Sequence, residues 1–427
     1  MAEAKSPETG AETGTEPEAP PAPLLTLRDG LPDLTDTDDA LAAVVDAVAQ
    51  GTGPVGLDAE RASGYRYSAR AYLIQLRREG AGTALIDPIA YDDLTALNEA
   101  IGDAEWILHA ASQDLPCLRE VGLEPASLFD TELAARLLGY PRVGLATLVE
   151  TIVGRSMRKE HSAADWSKRP LPTPWLEYAA LDVEVLVELR DVLGRELEEA
   201  GKTEWARQEF EHLIAFEPAP RQDPWRRTSG IHKAKGRRAL AAVRELWAVR
   251  DAIAADLDTT PGRLIPDSAV IAAANALPTN GKLLMDTPGF HGRGARRYLD
   301  SWVDALKRAR ALAESELPPV ANRSDGPPQV RAWADRDPVA AARLSTARAA
   351  VTALSEERNV PVENLLTPDY LRRVLWTPPE VADADLDRAV ADELRRLGAR
   401  AWQVELMAPI LAEAIRNPGK VPAAPED

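Results

Sequence analysis

The sequence predicts an α/β domain with a mixed five-stranded sheet, followed by two all-α regions. Short apolar runs alternate with helical periods from about Leu24 to Phe216. The strand-like runs then stop, and from Ile231 onward apolar residues recur at helical spacing. A chain of 427 residues exceeds one core and suits about two to four domains.

Residues 1–23 are mostly Glu, Pro, Ala, Thr and Gly, the composition of a disordered acidic tail. A helix is predicted over Asp39–Ala49, then a buried strand at Val55–Glu60. Apolar strands at Ala71–Leu76 and Thr83–Asp87 flank the turn Glu79-Gly-Ala-Gly82, and such short gaps suit antiparallel neighbours. A helix near Tyr91–Ile101 leads to a strand at Trp106–His109. A helix from Ser112, a short strand at Ser127–Phe129 and further helices complete the region to 216. Three strands thus form a meander, and two are reached through helices.

Candidate chemistry lies at three places. Asp58 and Glu60 are two apart on a strand and share a face. Two adjacent carboxylates need a proton, a basic partner or a metal, unless the strand end is simply solvated. Asp114 falls after a strand, near a helix start, where an acid suits either the helix dipole or a site. On a single helix predicted from Trp175 to about Leu193, Tyr178, Asp182, Val185 and Leu189 form one stripe. An acid on that stripe needs compensation, from a metal or from a nearby Arg. Between these places, Lys159 to Pro170 reads as a basic-aromatic loop in which Lys and Arg can hold phosphates and Trp166 can pack the loop down.

The order of these pieces resembles a known family. Asp58-x-Glu60 on a strand, His109-x4-Asp114 after a later strand and Tyr178-x3-Asp182 on a helix follow the pattern of the DEDD 3′-to-5′ exonucleases with tyrosine. The match is closest to the ribonuclease D family. Tyr72-Leu-Ile-Gln75-Leu resembles its second strand, Lys159 with Asp165-Trp166-x2-Arg169-Pro-Leu its loop, and Tyr178-Ala-Ala-Leu-Asp182-Val its third motif.

The resemblance implies a ribonuclease H-like fold and hydrolysis with two divalent ions, Mg2+ or Mn2+. Asp58, Glu60, Asp114 and Asp182 would be metal ligands, with Asp114 reaching one ion partly through water. Tyr178 would orient the attacking water. Gln75, His109, Lys159, Trp166 and Arg169 become candidates for substrate contact. Clustered carboxylates suit hard cations, so the residues agree with the chemistry.

Residues 217–230 and 318–338, rich in Pro, read as linkers. Residues 231–317 form the first helical region. Residues 226–310 carry 16 basic and 8 acidic side chains, a local excess of +8 inside a chain of net charge −18. The region resembles the helicase-and-RNase-D C-terminal (HRDC) domain around Leu264-Ile-Pro-Asp267 and Gly289-Phe290. Residues 339–416 read as a second HRDC-like module, because Leu365-Leu-Thr-Pro-Asp369 echoes Leu264-Ile-Pro-Asp267. Residues 417–427 form a tail.

The expected activity is a 3′-to-5′ exoribonuclease trimming RNA 3′ ends, such as those of tRNA precursors. The alternatives are a DNA exonuclease and an inactive nucleic-acid-binding scaffold. A single cysteine, Cys117, and five histidines give little support for disulfides or a zinc site. No apolar run approaches the ~20 residues of a membrane span, and no secretory signal is evident. The expectation is a cytoplasmic monomer.

Overall fold

The computed structural model describes residues 22–158, 161, 163–217, 222–320 and 326–419. The expected acidic tail lies almost wholly outside the described residues, as do most of 417–427 and Lys159.

The sheet has six strands, in the order β1-β4-β3-β2-β5-β6, where five were expected. These are β1 (Leu34–Thr35), β2 (Thr52–Arg61), β3 (Ala71–Glu79), β4 (Gly82–Ile86), β5 (Glu105–Leu108) and β6 (Ser127–Asp130). The additional strand β1 pairs parallel with β4 over Leu34 and Thr35 alone. Two residues carry no alternation for a sequence to reveal. Strands β2, β3 and β4 form the antiparallel meander, and β5 and β6 run parallel to β2. Gly80 and Gly82 flank the β3–β4 turn at φ 84° and 79°, values that favour glycine.

Eight helices belong to this region: α1 (Asp38–Gln50), α2 (Thr95–Ala100), α3 (Leu115–Arg119), α4 (Thr131–Leu137), α5 (Leu145–Leu148), α6 (Thr173–Glu184), α7 (Leu186–Glu199) and α8 (Thr203–Ala215). The single helix expected over Trp175–Leu193 is in fact α6 and α7, broken at Val185 (φ −118°, ψ 5°). The junction rests on Gly56 of β2. A Cβ there would lie 3.2 Å from Leu186 Cβ and 3.5 Å from the Val183 carbonyl oxygen. Glycine therefore lets the α6–α7 junction approach the strand two residues before Asp58.

Residues 222–320 build a separate core around Leu246, Val270, Phe290 and Trp302. Trp225 packs into it, so the expected linker 217–230 contributes to this region. Its main helix is α9 (Gly236–Asp256), followed by a one-turn helix (Pro261–Leu264) and the helix Asp267–Ala276. The last region repeats that order with Pro338–Arg358, Val362–Leu365 and Pro368–Trp376, then adds Leu386–Leu397 and Ala401–Arg416. Trp333 is fully buried beside Trp376, at 4.8 Å between rings. The expected linker 318–338 therefore ends earlier, because an indole anchors its last residues in the C-terminal core.

That core is continuous with the sheet domain. Trp205 stacks on Trp402 at 4.6 Å, and the buried Lys202 ammonium donates to the carbonyls of Leu137 and Arg358 at 2.7 Å each. The first helical region instead meets the β2–β3 loop. Asp258 accepts from the backbone N–H of Ser68 at 2.9 Å, Thr260 N donates to the Tyr65 carbonyl at 3.1 Å, and Arg263 lies 4.3 Å over the Tyr65 ring. No helix among the described residues is long and apolar enough to cross a membrane.

Candidate active site

Strand alternation sets the first part of the site. Val55, Leu57 and Ala59 are buried on one face of β2, and Asp58 and Glu60 point to the other. The α6–α7 junction seated on Gly56 brings Asp182 over that second face. Ligand oxygens of Asp58, Glu60 and Asp182 then lie within 4.8 Å of one another. The Tyr178 hydroxyl, one turn before Asp182 on the same helix, lies beside its carboxylate.

Asp114 reaches the same cavity from the loop after β5. That loop turns at Ala110 (φ 61°) into a short 3-10 turn over Ala111–Gln113. Asp130, at the end of β6, holds it by accepting from the N–H groups of Ala110 (3.3 Å) and Ala111 (2.8 Å). It also caps α4 by accepting from Leu133 N at 2.9 Å. Asp130 escaped the sequence reading. Its available signal was an Asp directly before a helix start. Arg61 was also missed: its guanidinium pairs with Asp114 Oδ1 at 3.3 Å and donates to the Gln113 carbonyl.

The cavity measures about 510 Å3, and its lining includes Asp58, Glu60, Asp114, Tyr178, Asp182 and His109. Burial, joined by the charges of Asp58, Asp182 and Asp114, pushes Glu60 up to about 10. Burial also raises Asp58, Asp114 and Asp182, with Asp58 adding to the shift of the latter two. Burial and then Asp182 raise the Tyr178 hydroxyl, which stays protonated at neutral pH. The acids thus crowd more negative charge than Arg61 offsets. An all-oxygen donor set in that state fits a divalent cation.

The candidate substrate contacts fare differently. His109 lines the cavity, with Nδ1 2.9 Å from Thr131 Oγ1, and burial lowers its pKa to about 4, so it is neutral. Gln75 pairs with Asp58 across β2 and β3 but is 0% exposed, so no RNA reaches it. Trp166 is likewise fully buried, its ring 5.3 Å from that of Trp175. It packs the loop down and offers no stacking face. Arg169 is corrected too. Its guanidinium grips both oxygens of Asp87 at 2.6 Å and donates to the carbonyls of Tyr72, Trp166 and Lys168. These donors hold the loop to the sheet and are not left for phosphate.

Residues 32–198 match the family model described as 3′-5′ exonuclease, and residues 239–306 match the HRDC domain. Residues 326–415, which include nearly all of the 339–416 expected as a second HRDC-like module, match the model described as 3′ to 5′ exonuclease C-terminal domain. A ribonuclease D from Granulibacter bethesdensis is 31% identical over 302 residues, covering 68% of this chain and 73% of the relative. The chain belongs to the ribonuclease D family. A solved protein from Bifidobacterium adolescentis aligns with TM-score 0.85 and 38% identity over 93% of this chain and 100% of its own. Escherichia coli ribonuclease D, an exoribonuclease involved in structured RNA processing, aligns with TM-score 0.66 and 27% identity over 90% of this chain and 98% of its own. The protein is a 3′-to-5′ exoribonuclease acting on RNA, and its carboxylates Asp58, Glu60 and Asp182 stand close enough together to hold a metal ion.

Proposed function

We propose that this ribonuclease D family member shortens tRNA or other stable RNA precursors from the 3′ end, releasing 5′-mononucleotides, with two Mg2+ or Mn2+ ions. The observation that carries the reading is the meeting of Asp58, Glu60 and Asp182 within 4.8 Å, from elements more than a hundred residues apart. Those three residues would hold one ion, and Asp58 with Asp114 would help to hold another. Bound divalent ions supply Lewis acidity for the attacking water and the leaving 3′ oxygen.

The chain's own groups do the positioning. Tyr178, beside Asp182, carries a hydroxyl that both donates and accepts, so it can hold a water and fix the line of attack. His109, neutral, offers a polar wall without added charge. The helical modules hold the RNA body by charge and shape. Part of the basic excess of residues 226–310 is spent internally: Arg237, Arg238 and Arg310 donate to backbone carbonyls, and Arg250 pairs with Asp267. Lys233, Lys235, Lys282, Arg293, Arg296 and Arg297 stay exposed for phosphate contact. The enzyme works as a cytoplasmic monomer.

The test incubates purified protein and Asp58→Ala with 3′-extended tRNA and matched single-stranded DNA, with Mg2+ or Mn2+. Stepwise RNA shortening by wild type alone supports the reading. Equal cutting by both proteins contradicts the site, and faster DNA digestion contradicts the RNA substrate.

A further inference from the structure

Arg61 stands on the partition between two cavities. Ala59, Glu60 and Arg61 line the acidic cavity, and the same three residues line a neighbouring one of about 310 Å3. Ser63, Gly64, Ala163 and Ala164 complete the second cavity. Its walls are small: a Cβ built on Gly64 meets nothing within 4 Å. Both cavities fall within the usual size of small-ligand sites, roughly 300–1,000 Å3.

Alternation alone would send Arg61 to the face opposite Glu60. The β2–β3 register shifts between Glu60 and Arg61, and such an irregularity bends and twists a strand end. The guanidinium thereby reaches Asp114 and the Gln113 carbonyl. Its side chain keeps 25% exposure, and among the described residues these two partners leave most of its five N–H donors open. An open arginine fork on the wall of the acidic cavity matches a phosphate in charge and shape. Were Asp114 to ligate a cation, the Gln113 carbonyl alone of these two partners would still hold the guanidinium.

We propose that Arg61 binds the RNA phosphate immediately inward of the scissile one, and that the smaller cavity receives the sugar attached to it. The inference rests on the nuclease reading above and adds a positioning residue to it.

The test compares single-turnover digestion of a short RNA with that of the same RNA carrying one uncharged methylphosphonate at the inward linkage. Wild type, R61Q and R61K are assayed over a series of Mg2+ concentrations, after thermal melting has verified their folding. The methylphosphonate slows wild type by roughly tenfold or more, the scale of a charged hydrogen bond. R61Q shows that loss already on the all-phosphate RNA and no further loss on the modified one. R61K, with charge but no fork, falls between. Equal sensitivity of wild type and R61Q to the methylphosphonate overturns the proposal. So does recovery of R61Q by higher Mg2+, which would make Arg61 a partner of Asp114 only. If R61Q does not fold, R61K decides: wild-type rates on both RNAs overturn the proposal. Inactivity of wild type on unmodified RNA would instead overturn the nuclease reading.

Discussion

The Asp258 carboxylate accepts a hydrogen bond from the Tyr72 hydroxyl at 3.2 Å, joining the first helical region to β3 beside the site. The same carboxylate holds the N–H groups of Tyr67 (3.2 Å) and Ser68 (2.9 Å). Asp258→Ala is expected to free this loop and the helical region together. Hydrogen exchange at the Ser68 amide then speeds up by about tenfold, the scale of one hydrogen bond of ~1.4 kcal/mol. Unchanged exchange would mean that other contacts, such as Arg263 on Tyr65, suffice.

Tyr178 tests the chemistry separately from binding. Tyr178→Phe keeps the ring and removes the hydroxyl beside Asp182. Turnover is expected to fall on the order of a hundredfold, the cost of a mispositioned reactant. RNA affinity, measured by filter binding in Ca2+, stays near wild type. A mutant that only binds more weakly contradicts the water-orienting role.

The acid cluster predicts how metal and pH are linked. Burial, with neighbouring charges, holds Glu60 near 10, above its ordinary 4.5. A group raised in this way contributes stability that is complete below its unfolded pKa and is lost as pH climbs toward the folded value. A divalent cation needs the ionised carboxylate, so it displaces the proton and offsets the loss. The rise in melting temperature caused by Mn2+ is therefore larger at about pH 8.5 than at about pH 6. Equal shifts at both values count against the site.

Lys202 makes a prediction about the C-terminal region. Its buried ammonium donates to Leu137, Arg358 and Asn359 carbonyls at 2.7, 2.7 and 3.3 Å. Lys202→Met leaves those carbonyls without their donor and costs about 2 kcal/mol. The check is a lower urea midpoint with faster proteolysis between 326 and 358. An unchanged midpoint would show that the Trp205–Trp402 stack carries the contact.

The sequence revealed what its periodicities encode. Alternation in Val55–Glu60 put two acids on one face, and helical spacing put Tyr178 and Asp182 together, as found. The two-residue β1 left no pattern, and the break at Val185 follows from a close approach to Gly56 that only the fold creates. Arg169 looked free for phosphate because its partner Asp87 is 82 residues away. Gln75 read as a strand residue open to substrate, whereas its burial is a tertiary property; for Trp166 the packing role read from the loop is the one found, and the substrate contact is not. Arg61 stayed hidden because alternation pointed it away, and a register shift is invisible before β3 is paired with β2.

Anomalous scattering from crystals soaked in Mn2+ reads whether the acids of β2 and α6 share divalent cations. Manganese is expected at about 2.1 Å from oxygens of Asp58, Glu60 and Asp182. Manganese bound elsewhere, with those three carboxylates uncoordinated, would contradict this sharing.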